Sequence, residues 1–249
     1  MRRPFIAANW KMNKTVSETR EFIRNFIPAV DDVLDVTIAI APAFTSLAAA
    51  SEELRNTRIV LSGQNVFYEE KGAYTGEISP IMLSDIGCKY VIIGHSERRQ
   101  YFNETNDTVN KKINAAKRVG LGIILCVGES LGEREKGKTL DVLKKQIEEG
   151  LDGIDLENLI IAYEPVWAIG TGKTATPEQA QEAHHYIRRR LKALYGDKAG
   201  ECCIIYGGSV TPENVDALMA CNDVDGALVG GASLGVESFS KIVKFGRKQ

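Results

Sequence analysis

One carboxylate stands out because of its position in the sequence. Glu164 directly follows the apolar run Leu159–Tyr163, and Pro165 holds the glutamate in an extended conformation. A carboxylate against apolar walls has a raised pKa, which suits a general base working near neutral pH. The alternative role is to cap the next helix, but that helix is predicted to begin only at Pro177. Glu164 is therefore predicted to be a catalytic base.

Two other apolar segments also lead into polar side chains. Asn9 and Lys11 are two residues apart, so an extended chain would place them on one side, with Trp10 facing the other way. A lysine emerging from such a segment needs an anionic partner, either a ligand or a carboxylate of the protein. His95 and Glu97 show the same spacing at the start of a predicted short helix. The helix dipole there is expected to lower the pKa of His95 and favour neutral imidazole.

Paired glycines follow the last two predicted strands. They occur in Gly207-Gly208-Ser209 and in Gly230-Gly231-Ala232-Ser233. Glycine lets backbone N–H groups approach an anion closely, and the start of a short helix adds its dipole. Either pair alone is weak evidence, but both together occupy the usual phosphate position of a β/α barrel. The sequence therefore predicts a phosphate site after these two strands.

A long segment separates Glu164 from the helix predicted at Pro177. The stretch Pro165–Thr174 is long for a connection between a strand and a helix. It carries hydrophobic residues in its middle and glycine and threonine at its far end. We predict that this segment is a lid that folds over a bound ligand and keeps water away from it.

These polar residues belong to a repeating pattern of short apolar runs and longer amphipathic stretches. Most of the runs do not alternate, which indicates strands buried on both faces in a parallel sheet covered by helices. The predicted strands are Phe5–Trp10, Val36–Ala41, Ile59–Gly63, Tyr90–Ile93, Gly122–Val127, Leu159–Tyr163, Cys203–Tyr206 and Gly226–Val229. Eight β/α units in 249 residues match a (β/α)8 barrel, eight parallel strands ringed by helices. The alternative, an open doubly wound sheet, usually has a glycine-rich turn after its first strand, and Asn9–Asn13 contains no glycine.

The amphipathic stretches predict the surrounding helices. The longest are Thr15–Val30, Thr45–Leu54, Asn103–Val119, Leu131–Gly150 and Pro177–Tyr195, and shorter helices are predicted after Ser79, Pro212 and Gly235. Thr176-Pro177-Glu178 and Thr211-Pro212-Glu213 are both typical of a helix start. His184 and His185 fall inside a long helix and are predicted to be surface or packing residues. No linker divides the chain, so residues 1–249 are predicted to form a single domain.

The overall composition excludes several classes of function. A net charge of −2, from 31 basic and 33 acidic residues, gives no global field for nucleic acid or an anionic membrane. The apolar runs are all shorter than the ~20 residues that a membrane helix needs. Five cysteines, with spacings that fit no zinc site and without a secretory segment, favour reduced thiols. We expect a cytoplasmic protein that binds neither nucleic acid nor membrane and holds no metal.

These residues, in this order and spacing, resemble the triosephosphate isomerase family almost from end to end. The motifs that carry the resemblance are Phe5–Asn13, Gly63-Gln64-Asn65, Gly76–Ser79, Ile93–Arg99, Cys126–Glu129, Tyr163–Thr174, Tyr206–Val210 and Val229–Ser233. The resemblance implies a TIM barrel that interconverts dihydroxyacetone phosphate and D-glyceraldehyde 3-phosphate in glycolysis and gluconeogenesis, without a metal or organic cofactor.

The resemblance also implies a role for each matching residue. Glu164 would move a proton between adjacent carbons through an enediolate, and neutral His95 would polarise the carbonyl group. Lys11 and Asn9 would stabilise the oxyanion, and Glu97 would hold Lys11 in place. The phosphate group would be bound, largely through backbone N–H groups, by Gly170, Ser209, Gly230 and Gly231, with Lys11 also meeting it.

The third loop implies a partner subunit. The segment from Gln64 to Glu77 is too long to pack on its own barrel, and in the family it inserts into a second subunit, where Thr75 reaches the neighbour's active site. A homodimer is therefore predicted.

Two alternatives remain at this point. Another phosphosugar barrel, such as an aldolase or a phosphoribosyl isomerase, is the first. An aldolase would need a Schiff-base lysine or metal ligands at a strand end, and only Lys11 comes near. An inactive barrel that serves as a binding protein is the second, and it predicts loss of Glu164, His95 or Lys11, all of which are present.

Overall fold

The chain folds around a closed barrel of parallel strands. The computed structural model describes residues 2–168 and 174–247. Each strand pairs with the next one along the chain, and the eighth closes onto the first. The strands are β1 (Phe5–Asn9), β2 (Thr37–Ala41), β3 (Val60–Gly63), β4 (Tyr90–Ile93), β5 (Gly122–Val127), β6 (Leu159–Tyr163), β7 (Cys203–Tyr206) and β8 (Gly226–Val229). The predicted (β/α)8 architecture is confirmed.

The predicted strand bounds differ from these at three ends. Trp10, Val36 and Ile59 lie just outside their strands. Trp10 continues the pairing by donating its backbone N–H to Ala41 O (3.1 Å), but Lys11 then turns the chain with φ 53°. The strand therefore stops one residue earlier than its apolar sequence indicates.

Side chains from the strands form two separate apolar layers. One set fills the barrel interior and consists of Phe5, Ala7, Ala39, Ala41, Ile92, Ile124, Cys126, Ile160, Ala162, Ile205 and Leu228. The alternate residues, such as Ile6, Ile40 and Ile93, point outward into the larger cluster beneath the helices. Because both faces of each strand are buried, the strands are continuously apolar rather than alternating.

Helices form the outer layer of the barrel. They are α1 (Val16–Ala29), α2 (Leu47–Glu53), α3 (Pro80–Asp85), α4 (Ser96–Tyr101), α5 (Asn106–Arg118), α6 (Leu131–Glu135), α7 (Thr139–Gly150), α8 (Pro177–Tyr195), α9 (Val215–Met219) and α10 (Val236–Val243). The predicted start of α8 is confirmed, because Thr176 and Gln179 form a reciprocal capping box with Pro177 in the first turn. In the described part of the chain, no helix is long and apolar enough to cross a membrane.

The predicted helix Leu131–Gly150 is wrong, because two helices occupy this stretch. Gly137 has φ 67°, a left-handed conformation that an α-helix cannot continue through. A second capping box, between Ser130 and Glu133, starts the short helix α6. The break allows α7 to pack along the barrel while α6 stays near the carboxyl end of β5.

Two predicted helix starts are also wrong. The stretch predicted from Asn103 begins instead at Asn106, because Thr105 is the residue whose side chain caps the helix. Thr211-Pro212-Glu213 does not start a helix, since α9 begins at Val215. Asn214 Oδ1 accepts the backbone N–H of Thr211 (2.8 Å), so this segment forms a turn before the helix.

His184 and His185 differ sharply in exposure, and the difference generates a prediction about pH. His184 is fully buried, packs edge-to-face on Tyr163, and donates from Nδ1 to Asp223 O (3.1 Å). Burial lowers the pKa of His184 from 6.5 to about 4. The unfolded chain therefore takes up this proton at a higher pH than the folded chain does. Stability from the neutral imidazole is complete above about pH 6.5 and is lost as the pH falls through about 4.

We predict that His184→Asn flattens this pH dependence. Asparagine keeps a nitrogen donor near the position of Nδ1 but cannot take up the proton. The wild-type free energy of unfolding should fall by on the order of 3 kcal/mol between pH 7 and pH 4 through this group, and the variant should lack that fall. Urea titrations across this range measure it. His185→Asn, a change at the exposed neighbour, is the control, and identical pH slopes for wild type and His184→Asn would contradict the prediction.

Candidate active site

The polar residues predicted after the strands meet in one cavity at the carboxyl end of the barrel. The cavity has a volume of about 380 Å³. Its lining includes Asn9, Lys11, His95, Glu97, Glu164, Gly207, Gly208, Ser209, Val210, Thr211, Leu228, Gly230, Gly231 and Ala232. Larger hollows are also present, including one of about 680 Å³ at the amino-terminal end, but this cavity is the one in which the described residues bring the predicted catalytic and phosphate-binding groups together.

Glu164 is buried at the end of β6 and bound by two donors from the β4 loop. Its side chain is 2% exposed. One carboxylate oxygen accepts from His95 Nε2 (2.9 Å), and the other accepts from the backbone N–H of Ser96 (2.9 Å). Ser96 was not singled out from the sequence, because a backbone donor leaves no trace in residue type.

The raised pKa predicted for Glu164 is wrong for this arrangement. Burial acts to raise the pKa, but the His95 imidazole, the Ser96 N–H and the positive charge of Lys11 together hold it below its ordinary value. Apolar neighbours in the sequence indicated the burial correctly. They could not indicate that donors from other strands would outweigh it.

His95 occupies the N-cap position of α4, where its ring is fixed by its own helix. Nδ1 accepts the backbone N–H of Glu97 (3.2 Å), so the ring proton lies on Nε2, which donates to Glu164. Burial acts to lower the pKa of His95, but the Glu164 carboxylate raises it above its ordinary value. The predicted lowered pKa is therefore wrong while Glu164 is in contact, although the geometry of Nδ1 suits neutral imidazole.

Lys11 reaches the cavity from a strained backbone position. Its φ of 53° places it in the left-handed region, so the predicted extended arrangement with Asn9 is wrong for Lys11. Asn9 Oδ1 accepts the backbone N–H of Lys11 (3.1 Å), and Gln64 Nε2 donates to Lys11 O (2.8 Å). Lys11 Nζ then pairs with Glu97 Oε1 (2.7 Å). Residue type and spacing do not indicate that the Gln64 side chain supports this turn.

The glycine-rich loops after β7 and β8 present free backbone donors. Among the described residues, no acceptor is found for the backbone N–H groups of Ser209, Gly230 and Gly231, and all three residues line the cavity. Asn214 Nδ2 donates to Ser209 O (3.0 Å), which steadies the first loop. Gly170, the fourth predicted phosphate ligand, lies outside the described residues.

The start of the predicted lid is anchored to a buried carboxylate. Glu129, fully buried after β5, accepts from Trp167 Nε1 (2.9 Å) and from the hydroxyl of Tyr163. The backbone N–H of Val166 donates to Glu129 O (3.1 Å). Residues 169–173 of the predicted lid are outside the described part of the chain, so its closure stays a prediction.

The third loop carries a cluster of three aromatic side chains. The ring of Phe67 lies 4.2 Å from that of Tyr68 and 4.6 Å from that of Tyr74. Thr75, at the tip, is exposed. Large apolar side chains are exposed on the neighbouring loops and helices as well, namely Met12, Ile81, Met82, Tyr101 and Phe102.

Together these groups provide acid–base chemistry beside an anion site. A carboxylate and a neutral imidazole line the same cavity as a lysine and as backbone N–H groups for which the described residues supply no acceptor. Such a set can remove a proton beside a carbonyl group and stabilise the oxyanion that results. In the part of the chain that is described, no three His, Cys, Asp or Glu side chains are grouped to hold a metal ion.

Comparisons with known proteins agree with this geometry. The family model described as triosephosphate isomerase matches residues 4–246. A triosephosphate isomerase of Geotalea uraniireducens is 56% identical, with 98% of this chain and 99% of that protein covered. A triosephosphate isomerase of Carboxydothermus hydrogenoformans is 55% identical, with 98% of this chain and 99% of that protein covered. The crystal structure of triosephosphate isomerase from Bartonella henselae superposes with a TM-score of 0.92 at 42% identity, covering 99% of this chain and all of that one.

The tight space around Glu164 generates a structural prediction. A Cβ atom at Gly207 would lie 2.9 Å from Glu164 Cγ and 3.2 Å from Tyr163 O, so Gly207→Ala must push the glutamate side chain aside. In a crystal structure of this variant, we expect the hydrogen bond from Ser96 N to Glu164 to be lost. Gly231→Ala is the matched control in the same cavity, since no atom lies within 4 Å of its Cβ. An unmoved Glu164 in Gly207→Ala would refute the prediction.

Proposed function

Because the chain belongs to the triosephosphate isomerase family, we propose that Glu164 and His95 carry out its reaction in the cavity described above. The chain interconverts dihydroxyacetone phosphate and D-glyceraldehyde 3-phosphate, an aldose–ketose isomerisation of glycolysis. The observation that carries the residue assignment is the contact of a buried carboxylate with a buried imidazole beside free backbone donors. Neither an aldolase site nor an inactive barrel fits this family membership.

Glu164 acts as the base that moves one proton. It removes a proton from the hydroxyl-bearing carbon of the ketose, which gives an enediolate, and returns it to the neighbouring carbon. Both carboxylate oxygens are held by donors in the resting site, so Glu164 must leave Ser96 N–H and His95 to reach the substrate. Losing these donors inside a closed cavity raises its pKa, which strengthens it as a base at the moment of transfer.

His95 acts as the neutral electrophile. Its Nε2–H, which meets Glu164 at rest, is free to donate to the substrate oxygens once the carboxylate has moved. The departure of Glu164 removes the interaction that raises the pKa of His95, and burial then favours the neutral ring. The Glu97 N–H holds Nδ1 throughout, so the ring offers the same nitrogen to each oxygen of the enediolate in turn.

Lys11 and Asn9 stabilise the negative charge that develops on those oxygens. Glu97 fixes the Lys11 ammonium group through an ion pair of 2.7 Å, and the left-handed turn of Lys11 is supported by Gln64. A cation held at a set position before the reaction costs little reorganisation when the charge appears. Glu97 is therefore a positioning residue, and Lys11 also contacts the phosphate group.

The phosphate group is bound by the loops that follow β7 and β8. Among the described residues, the backbone N–H groups of Ser209, Gly230 and Gly231 have no acceptor, and all three residues line the same cavity as Glu164. Gly170 adds a donor when the lid Pro165–Thr174 closes. Closure also excludes water, which protects the enediolate from losing its phosphate.

The reaction is internally balanced. One carbon of the substrate is oxidised and its neighbour is reduced by the same amount. Glu164 moves one proton from carbon to carbon, and a second proton passes from the hydroxyl oxygen to the former carbonyl oxygen by way of His95. We propose that no organic cofactor or metal takes part, because a base, a neutral donor and fixed charges are sufficient for this chemistry.

We also propose a homodimer in the cytoplasm. Thr75 and Tyr74 of the third loop are exposed, and so are the large apolar side chains of Met12, Ile81, Met82, Tyr101 and Phe102. Contiguous exposed apolar surface on a protein is typical of an interface. Thr75 would reach the active site of the partner subunit. The five cysteines are free thiols, which suits a reducing compartment.

We predict that Glu164→Gln abolishes most of the isomerase activity. The amide cannot accept the proton, so kcat should fall by at least about 10³-fold. A coupled assay that consumes the product with NADH oxidation measures it. Glu135→Gln, an exposed change on the same rim of the barrel, is the control and should retain wild-type activity. Full activity in Glu164→Gln would contradict the role of Glu164 as the base. An inactive wild type would contradict the isomerase function.

We predict that Thr75→Arg weakens the dimer. Sedimentation at micromolar concentration should give twice the 27.3 kDa chain mass for wild type and a larger monomer fraction for the variant. Leu34→Arg is the control, because this leucine is also exposed (59%) but lies on the loop before β2, at the amino-terminal end of the barrel. A monomeric wild type would contradict the proposal.

A further inference from the structure

A glutamine on the helix behind the active site forms two hydrogen bonds with the backbone of a single glycine. Gln146 lies on α7 and is partly buried. Its Oε1 accepts the backbone N–H of Gly128 (2.7 Å), and its Nε2 donates to Gly128 O (3.1 Å). Both polar groups of one residue are thus satisfied by one side-chain amide, which fixes Gly128 in position and orientation.

Gly128 has no other partner for these groups. Within residues 2–168 and 174–247, no second acceptor is found for its N–H and no second donor for its carbonyl group. Gly128 follows β5 directly, at the point where the strand ladder ends and the chain turns towards α6. The Gln146 amide therefore replaces the hydrogen bonds that a neighbouring strand would supply.

Gly128 in turn supports the backbone of Glu164. A Cβ atom at Gly128 would lie only 1.7 Å from Glu164 O and 2.6 Å from its carbonyl carbon, so the two backbones are in direct contact. The residue before Gly128, Val127, accepts the backbone N–H of Glu164 (2.8 Å). A shift of Gly128 therefore moves Glu164 with it.

A second glycine packs closely against the side chain of Glu164. Gly207 faces its Cγ, and a Cβ there would lie 2.9 Å away. Glu164 is held between Gly128 and Gly207. From this position its carboxylate accepts hydrogen bonds from His95 Nε2 and from the backbone N–H of Ser96. Gly207 is fixed by donating its N–H to Tyr163 O (2.7 Å), whereas Gly128 is fixed from outside the barrel by Gln146.

We propose that Gln146 is a positioning residue for the isomerisation, acting through Gly128 to hold the backbone of Glu164 at the position from which its carboxylate reaches the substrate. The role rests on the proposed function of Glu164 as the base. Gln146 does not line the cavity that would hold the substrate, and within the described residues its side-chain hydrogen bonds run to Gly128 alone. The side-chain hydrogen bonds of Gln146 run to Gly128 and not to the loops after β7 and β8, so we expect their loss to slow proton transfer more than it weakens substrate binding.

The first test is Gln146→Met, which keeps the length of the side chain and removes both hydrogen bonds. Displacing a catalytic group by about 1 Å can cost about 10²-fold in rate, and a partial displacement less. We expect kcat to fall about tenfold, with KM within about twofold of wild type. Lys145→Met, the same substitution at the exposed neighbouring residue of α7, should leave both constants unchanged. A kcat for Gln146→Met within twofold of wild type overturns the proposal.

A double-mutant cycle separates positioning from a general structural effect. If Gln146 acts through Glu164, then Gln146→Met should cost nothing further in kcat when Glu164 is already glutamine. The same tenfold loss in the Glu164→Gln background would show that Gln146 acts elsewhere, and the proposal would fail.

A second variant covers the case in which Gln146→Met does not fold. Gln146→Glu restores both hydrogen bonds when its carboxyl group is protonated, whereas the ionised form repels Gly128 O. Its kcat, relative to wild type at the same pH, should therefore rise as the pH is lowered from about 8 to about 5. If the ratio of the variant's kcat to that of wild type does not change with pH, the proposed role of the hydrogen bonds between residue 146 and Gly128 is contradicted.

An NMR measurement tests the same claim without any assay. The amide proton of Ser96 reports its hydrogen bond to Glu164. Its chemical shift should move in Gln146→Met and stay in place in Lys145→Met, whatever reaction the protein catalyses. An unmoved Ser96 signal in Gln146→Met overturns the positioning role, and an inactive wild type overturns only the proposed function.

Discussion

The contact between the carboxylate of Glu164 and the imidazole of His95 is the interaction on which the rest of the site depends. A carboxylate that is 2% exposed is costly to bury unless hydrogen bonds and nearby positive charge replace the lost water. Here the replacement comes from a ring nitrogen and a backbone N–H of the β4 loop. The closed barrel is what brings β4 and β6 close enough for these groups to meet.

In the mechanism that we propose, that contact also sets the chemistry, because it must be broken before the reaction begins. While it exists, it lowers the pKa of Glu164 and raises that of His95, which suits neither group to its task. We propose that exchange of this contact for substrate reverses both shifts and leaves a stronger base and a neutral donor. The surrounding constraints, two glycines without room for a side chain and a glutamine that fixes one of them, keep the carboxylate within reach of both positions.

Much of the barrel and of the site could be predicted from the sequence, and the failures have common causes. Strands buried on both faces are short uninterrupted apolar runs, so their bounds were predicted within one residue. The helix Leu131–Gly150 was wrong because the left-handed conformation of Gly137 does not disturb the amphipathic period around it. The pKa directions of Glu164 and His95 were wrong because each depends on a group from another strand. Ser96, Gln64 and Gln146 act through or upon backbone atoms, and residue spacing carries no signal for such contacts.

A crystal structure with a bound planar analogue of the enediolate phosphate would test the exchange of partners by Glu164 most directly. We predict that the Glu164 carboxylate lies within contact distance of the two adjacent carbons of the analogue and no longer accepts from Ser96 N–H. His95 Nε2 should then donate to an oxygen of the analogue. A structure in which the analogue fills the cavity while Glu164 stays bound to Ser96 and His95 would contradict its role as the base.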